Sequence, residues 1–232
     1  MVEIKQNLSN RNNYGANRDL GSIQYIVIHY TANDGDHDES NANYFHNNQV
    51  GASAHYFVDD DSITCSVPDN YIAYSVGGSK WSDAVTTGGG KMYGTINNAN
   101  SISIEMCDTV RNGKYDVSPK TRQNTIDLVC RLMAKYHLTI DRVYRHFDVN
   151  GKHCPSYFMD ENEWSKFKME LDNSFGAYCY QSIQRYLATQ KVPEWAEKEL
   201  NEAKAKGITD GSNPMQLCNR MQTAIMVKRG SK

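Results

Sequence analysis

The sequence predicts an α/β fold, a central mixed β-sheet flanked by helices, on three observations. Residues 23–30 are almost continuously apolar, which suits a strand covered on both faces. Residues 102–107 alternate with period two, the signature of a second strand. From Ser118 the pattern turns helical, with Ile126, Val129, Cys130 and Met133 at three- and four-residue steps and Leu128, Leu132 and Tyr136 widening the apolar stripe. Strands and helices that alternate along a chain pack as a sheet covered by helices.

The elements follow in order. A polar, Asn-rich lead-in precedes the first strand, which ends at His29 and Tyr30. Residues 34–48 read as a loop feeding a short helix through Tyr44 and Phe45, and residues 52–58 as a second strand closed by the acidic turn Asp59-Asp60-Asp61. His55 is expected to face the sheet or its rim. Residues 75–100 hold Gly77-Gly78, Gly88-Gly89-Gly90 and Asn97-Asn98 with Trp81 and Tyr93 between them, a long irregular stretch of the kind that binds ligands. In the next strand Ile102, Ile104 and Met106 share one face, leaving Ser103, Glu105 and Cys107 on the other. The helix from Ser118 is expected to stop near His137, after which Arg142-Val143-Tyr144 leads into a loop over residues 146–155.

A boundary is expected near residues 171–191, which divides the chain into a catalytic domain (1–172), a connecting helix or linker (173–191) and a small helical segment (192–232). Pro193 is placed at the first position of one helix, with Gly207 as its C-terminal cap, and Asn213-Pro214-Met215-Gln216 carries the start signals of another. Leu217, Met221, Ala224 and Ile225 give that second helix one apolar face. Two helices of roughly 40 residues together are too few to bury such faces alone, so the segment should dock on something.

Composition narrows the function. At 232 residues the chain holds one medium domain and a small appendage, and a formal net charge of −2 with interspersed signs disfavours nucleic acid as a partner. No apolar run approaches a membrane span, and the first residues lack the hydrophobic centre of a secretory signal, so synthesis in the cytoplasm without a signal peptide is expected. The six cysteines are irregularly spaced, which favours reduced thiols.

The chemistry-bearing residues are a histidine closing an apolar strand, His29, and a turn-rich loop that supplies His146, Lys152, His153 and Cys154. Three ligands of His and Cys type leave a fourth tetrahedral position on zinc for water or substrate, the mark of a catalytic site. By spacing alone His153 competes with His146 for the metal. Cys154 with His146 would equally make a nucleophile and its base, so a thiol hydrolase is the alternative.

The stretches Ile26-Val27-Ile28-His29-Tyr30-Thr31-Ala32, Ser53-Ala54-His55-Tyr56, Asn100-Ser101-Ile102-Ser103-Ile104-Glu105-Met106-Cys107 and His146 to Pro155 together resemble the zinc-dependent N-acetylmuramoyl-L-alanine amidases of the type 2 family. Their fold is that of the peptidoglycan recognition proteins. The resemblance implies one zinc per chain on His29, His146 and Cys154, a catalytic Glu105, an oxyanion-stabilising Lys152, and His153 as a non-ligand. It implies peptidoglycan as substrate, cut at the amide between N-acetylmuramic acid and L-alanine by a zinc-activated water. Some proteins of this fold bind the polymer without cutting it, a second alternative. One departure is Ala73-Tyr74-Ser75-Val76-Gly77-Gly78, where many relatives carry an aromatic-His pair before the glycines. Residues 192–226 resemble a single surface-layer-homology repeat, which implies wall attachment, with self-association into a homo-oligomer as the other role. The whole suggests a phage or prophage endolysin acting on the wall after release, or else an enzyme recycling wall fragments in the cytoplasm.

Overall fold

The computed structural model describes residues 2–218, Thr223 and residues 225–228. It divides into two compact units, Met1–Ser174 and Phe175–Lys232. The first is built on β1 (Ile4–Gln6), β2 (Tyr14–Asn17), β3 (Tyr25–Asp34), α1 (Asp38–Asn47), β4 (Tyr56–Val58), β5 (Ile63–Cys65), β6 (Tyr71–Ala73), α2 (Ala84–Thr87), β7 (Ser101–Arg111), β8 (Lys114–Asp116), α3 (Pro119–Tyr136), β9 (Val143–Arg145) and α4 (His146–Asn150). Helix α5 (Glu161–Ala188) begins in this unit and continues into the second, which also holds α6 (Glu194–Ala205).

The expected mixed sheet is present. Its strands run in the order β1-β5-β4-β7-β3-β9, with β8 beside β7. β4, β7, β3 and β9 are mutually parallel, whereas β5 is antiparallel to β4 and β8 to β7. Parallel neighbours need both faces covered, and β7 is buried on both: Ile102, Ile104 and Met106 on one side, Ser103 and Cys107 on the other. Helix α3 follows its sequence signals closely. The Ser118 hydroxyl accepts from the Thr121 N–H (3.0 Å), Pro119 takes the first turn, and His137 ends the helix in the left-handed conformation.

Four expectations need correction. The second strand is only Tyr56–Val58, because residues 52–55 leave the ladder to serve buried polar partners: Ser53 donates to the Asn13 carbonyl (2.8 Å), and His55 Nδ1 accepts from the Ser103 N–H (3.0 Å). The segment at His146 is a short helix, α4, rather than a loop. At the C-terminus, Pro193 caps α6 from just outside it. Residues 213–216 do not start a helix: Asn213 adopts φ +45°, and the Gln216 N–H donates to the Asn213 carbonyl (3.0 Å), closing a turn. Asn accepts the left-handed conformation at small cost because its short polar side chain can hydrogen-bond locally. Met221, Ala224 and the Asn219-Arg220 pair lie outside the described residues.

Within the second unit, Leu200, Ala203, Ile208, Leu217, Ile225 and Met226 line a groove of about 730 Å³, and Trp195 is exposed.

Candidate active site

The parallel register assembles the site. His29 on β3 pairs with Glu105 on β7, and Glu105 pairs with Phe57 on β4, so these residues form one row across the middle of three parallel strands. On the other side of β3, Ile28 pairs with Arg145, the last residue of β9. The residue after each is a histidine, His29 still on β3 and His146 opening α4, and the two rings meet edge to face with centroids 4.6 Å apart. Cys154 then returns to the same place. Gly151, at φ +90°, reverses the chain after α4, and the Phe147 N–H donates to the Cys154 carbonyl (3.0 Å). A side chain at Gly151 would collide with Ala84 at 2.4 Å, so the reversal requires glycine.

Arg145 locks this turn. Its guanidinium donates to both oxygens of Asp148 (3.0 and 2.7 Å), to Glu161 (2.9 Å) and to the Phe158 carbonyl (2.7 Å), and it lies over the rings of Phe147 and Trp164. A buried guanidinium with its donors paired in this way fixes one backbone path for residues 145–158.

His29, His146 and Cys154 are all buried, and one ligand atom from each lies within 4.8 Å of the others. Zinc bonds of ~2.1 Å to nitrogen and ~2.3 Å to sulfur at tetrahedral angles put the two donor atoms roughly 3.6 Å apart. The Cys154 Sγ to His29 Nδ1 distance is 3.9 Å, so the donors fit that ion. The same residues leave buried atoms without protein partners, His29 Nε2 and both ring nitrogens of His146, at a cost of about 1–3 kcal/mol each. Burial holds His29 well below its ordinary value, helped by His146 and Lys152, and burial with Lys152 brings His146 down to about 3. Both imidazoles are therefore neutral, as ligation requires. Burial pushes the Cys154 thiol up, with Glu105 adding to the rise.

Glu105 Oε1 stands 3.8 Å from His29 Nδ1, and its Oε2 is buried without a partner. Burial pushes this carboxyl up to about 8; Lys152 opposes the rise, and Asp108 and Asp36 add to it. Glu105 and the exposed Lys152 both line a cleft of about 490 Å³, whose other walls are Tyr30 to Asn33 from the end of β3, Ser40, Asn41 and Tyr44 from α1, and Phe57. A register shift between Tyr30 and Asp34, with Ala32 at φ +53°, breaks the β3–β7 pairing where those wall residues lie.

The remaining sequence candidates lie elsewhere. His153 faces Asp83 (2.9 Å) and is half exposed, outside the donor set. His55 is enclosed by Arg18, Ser103 and the Tyr71 carbonyl, and its place is in the core. Ser75 shares a hydrogen bond with Ser103. Sequence reasoning had missed the α1 wall, Ser40, Asn41 and Tyr44. Their one-turn spacing on a helix was the available signal.

Residues 19–157 match the N-acetylmuramoyl-L-alanine amidase family. The chain is 28% identical over 219 residues to the N-acetylmuramoyl-L-alanine amidase CwlA of Bacillus subtilis (strain 168), covering 92% of this chain and 74% of that one. With BlyA of the same organism, also an N-acetylmuramoyl-L-alanine amidase, it shares 33% identity over 147 residues, 62% of this chain and 39% of the relative. A mutant endolysin from Bacillus subtilis superposes with a TM-score of 0.57 at 30% identity, over 74% of this chain and 99% of that structure.

Proposed function

Because the chain belongs to the N-acetylmuramoyl-L-alanine amidase family, we propose that it hydrolyses the amide between N-acetylmuramic acid and L-alanine in peptidoglycan. The observation that carries this reading is the row in which His29, His146 and Cys154 converge beside Glu105 at the end of an open cleft. Those three residues would hold one zinc ion. Zinc in such a site supplies Lewis-acid polarisation of a carbonyl oxygen and acidification of water.

The chain's own groups supply the rest. Glu105 takes the proton from the attacking water and passes it to the departing amine of L-alanine, and burial matches its carboxyl to that task by raising it toward neutral pH. Lys152, across the cleft mouth, offsets the charge that grows on the carbonyl oxygen, a contribution of about 3–4 kcal/mol. Two competing readings are less well supported. Cys154 is buried, with its thiol pushed up rather than down, which suits a ligand better than a nucleophile. A binding module that does not cut has no use for a buried carboxyl and a lysine lining one cleft beside a zinc-type donor set.

The test is the bond broken. Digestion of purified cell walls should release L-alanine amino termini in step with loss of turbidity, with no new reducing sugars, because glycosidases usually need two carboxylates flanking the bond. Reducing ends appearing in parallel would overturn the reading.

Among the described residues no helix is long and apolar enough to cross a membrane. We assign the action to the bacterial wall, reached after release as a lysin does, with fragment recycling in the cytoplasm as the other setting. Residues 192–232 serve in this reading as the wall-binding or self-association segment, since Trp195, Leu217, Ile225 and Met226 expose apolar surface in the second unit. Truncation before Pro193 should spare hydrolysis of small soluble muropeptides while abolishing sedimentation with whole walls, lowering the oligomeric mass, or both. Unchanged binding together with unchanged mass would strip the segment of this role.

A further inference from the structure

We propose that Trp81 is a stacking platform for the sugar ring on the acyl side of the scissile amide, and so a substrate-positioning residue; this rests on the amidase reading above. The argument begins with the substrate. Only the lactyl ether bridge separates the pyranose ring of N-acetylmuramic acid from the carbonyl carbon under attack. A group that contacts that ring must therefore stand next to the residue that meets the carbonyl oxygen, which is Lys152.

Trp81 touches Asn150, Gly151 and His153, the residues on either side of Lys152, and it is pinned. Its N–H donates to the Asn150 carbonyl (2.8 Å), and its Cβ lies 3.4 Å from where a Gly151 side chain would begin. Its indole stacks at 25° on the ring of His153, the residue after Lys152, with centroids 6.1 Å apart. His153 is held in turn by Asp83 (2.9 Å). The loop that carries Trp81 is laced to α4 by two further backbone bonds, Gly90 N–H to the Phe147 carbonyl (2.9 Å) and Met92 N–H to the Asp148 carbonyl (2.8 Å). Gly89 packs so tightly on Phe147 that a Cβ would sit at 2.6 Å.

A single exposed aromatic is ordinary on a protein surface. An indole that is 47% exposed yet fixed on both its backbone and its ring is better explained by a ligand that uses the open part. The face of an aromatic ring is electron-rich and the C–H edges of a pyranose are electron-poor, so the two pack favourably. Preorganisation means that little side-chain freedom is lost when they do. The cleft lined by Glu105 and Lys152, which Trp81 does not line, has a different chemistry. Asn33, Ser40 and Asn41 offer amide and hydroxyl groups there, which suit a peptide stem rather than a sugar face.

The test compares kcat/KM of the full-length, zinc-loaded chain on a sugar-free D-lactyl-L-alanyl peptide and on the same peptide carried by an N-acetylglucosaminyl-N-acetylmuramic acid disaccharide. Trp81→Ala should cut the disaccharide-to-lactyl ratio about tenfold, equivalent to about 1.4 kcal/mol, mostly through KM. Trp81→Phe should restore most of it, and Asp83→Ala, which frees His153, should move the ratio in the same direction. Equal loss on both substrates would mean that Trp81 only braces the loop, and would overturn the proposal. Should Trp81→Ala fail to fold, indole emission of a Trp195→Phe chain titrated with the free disaccharide decides, since Trp164 is buried; an unchanged spectrum overturns the proposal. A parental chain that cuts neither substrate would bring down the amidase reading itself, and this proposal with it.

Discussion

Replacing Glu105 by Gln should leave fold and zinc content intact and lower kcat by about 10²–10⁴, the range that a positioned general base contributes. The substitution is close to isosteric, so the row from Phe57 through Glu105 to His29 keeps its packing. What is lost is the ability to accept a proton. The carboxyl is raised by burial, so it holds its proton below its pKa and becomes a base above it; the acid limb of the kcat/KM profile reports that transition in the parent. The residual activity of the Gln variant should lack the limb. Lys152→Ala should cost less, roughly 10²–10³, by removing one oxyanion partner. Cleavage by the Gln variant at the parental rate would move the base elsewhere. Tyr30, which lines the cleft, would then be the next residue to test, since His55 is enclosed in the core.

The parts of the fold legible in the sequence were those whose local pattern and tertiary environment agree. β3, β7 and α3 are long, strongly periodic and buried where the pattern says they should be. The short strands β1, β5 and β8 have three residues each and take their identity from a neighbour rather than from their own composition. Asn13 shows how a polar residue can be misread. In an Asn-rich lead-in it looks like solvent-exposed loop, yet it is fully buried and bridges the Phe45 and Asn48 carbonyls (2.8 and 2.7 Å) to the Val50 and Gly51 N–H groups (2.8 and 3.0 Å). The candidate site was legible as a set of residue types, because His and Glu on apolar strands and His, Lys and Cys in one turn are individually unusual. Its assembly was not. That depends on the β3–β9 register, and a shift of one residue would turn His146 to the opposite face of the sheet from His29. The cleft walls were hidden for a related reason: Ser40, Asn41 and Tyr44 are ordinary on a helix surface until α1 is placed beside the end of β3.

Removing the metal should abolish turnover, and His146→Ala should lose zinc at concentrations that saturate the parent. Loss of a group that hydrogen-bonds a metal ligand weakens such sites 10–100-fold, so loss of one of three direct ligands should exceed about 100-fold. His153→Ala is the control. It immediately precedes Cys154 in sequence but faces Asp83, and it should keep its zinc. Binding to the folded state alone also raises stability, by about 4.1 kcal/mol at a thousandfold excess over Kd, so zinc should raise the melting temperature of the parent and of His153→Ala but not of His146→Ala. The protonation states make a further demand. Both imidazoles are held neutral by burial, whereas burial holds the Cys154 thiol protonated. Metal binding at neutral pH should then release about one proton per chain, from the thiol, measurable as a buffer-dependent enthalpy in calorimetry. Full activity after chelation, with loss of activity on thiol alkylation, would replace the metal by a Cys154 nucleophile. Zinc retained in His146→Ala but lost in His153→Ala would exchange the two histidines, and would require the β9–α4 turn to open, against the Arg145–Asp148 pairing that holds it shut.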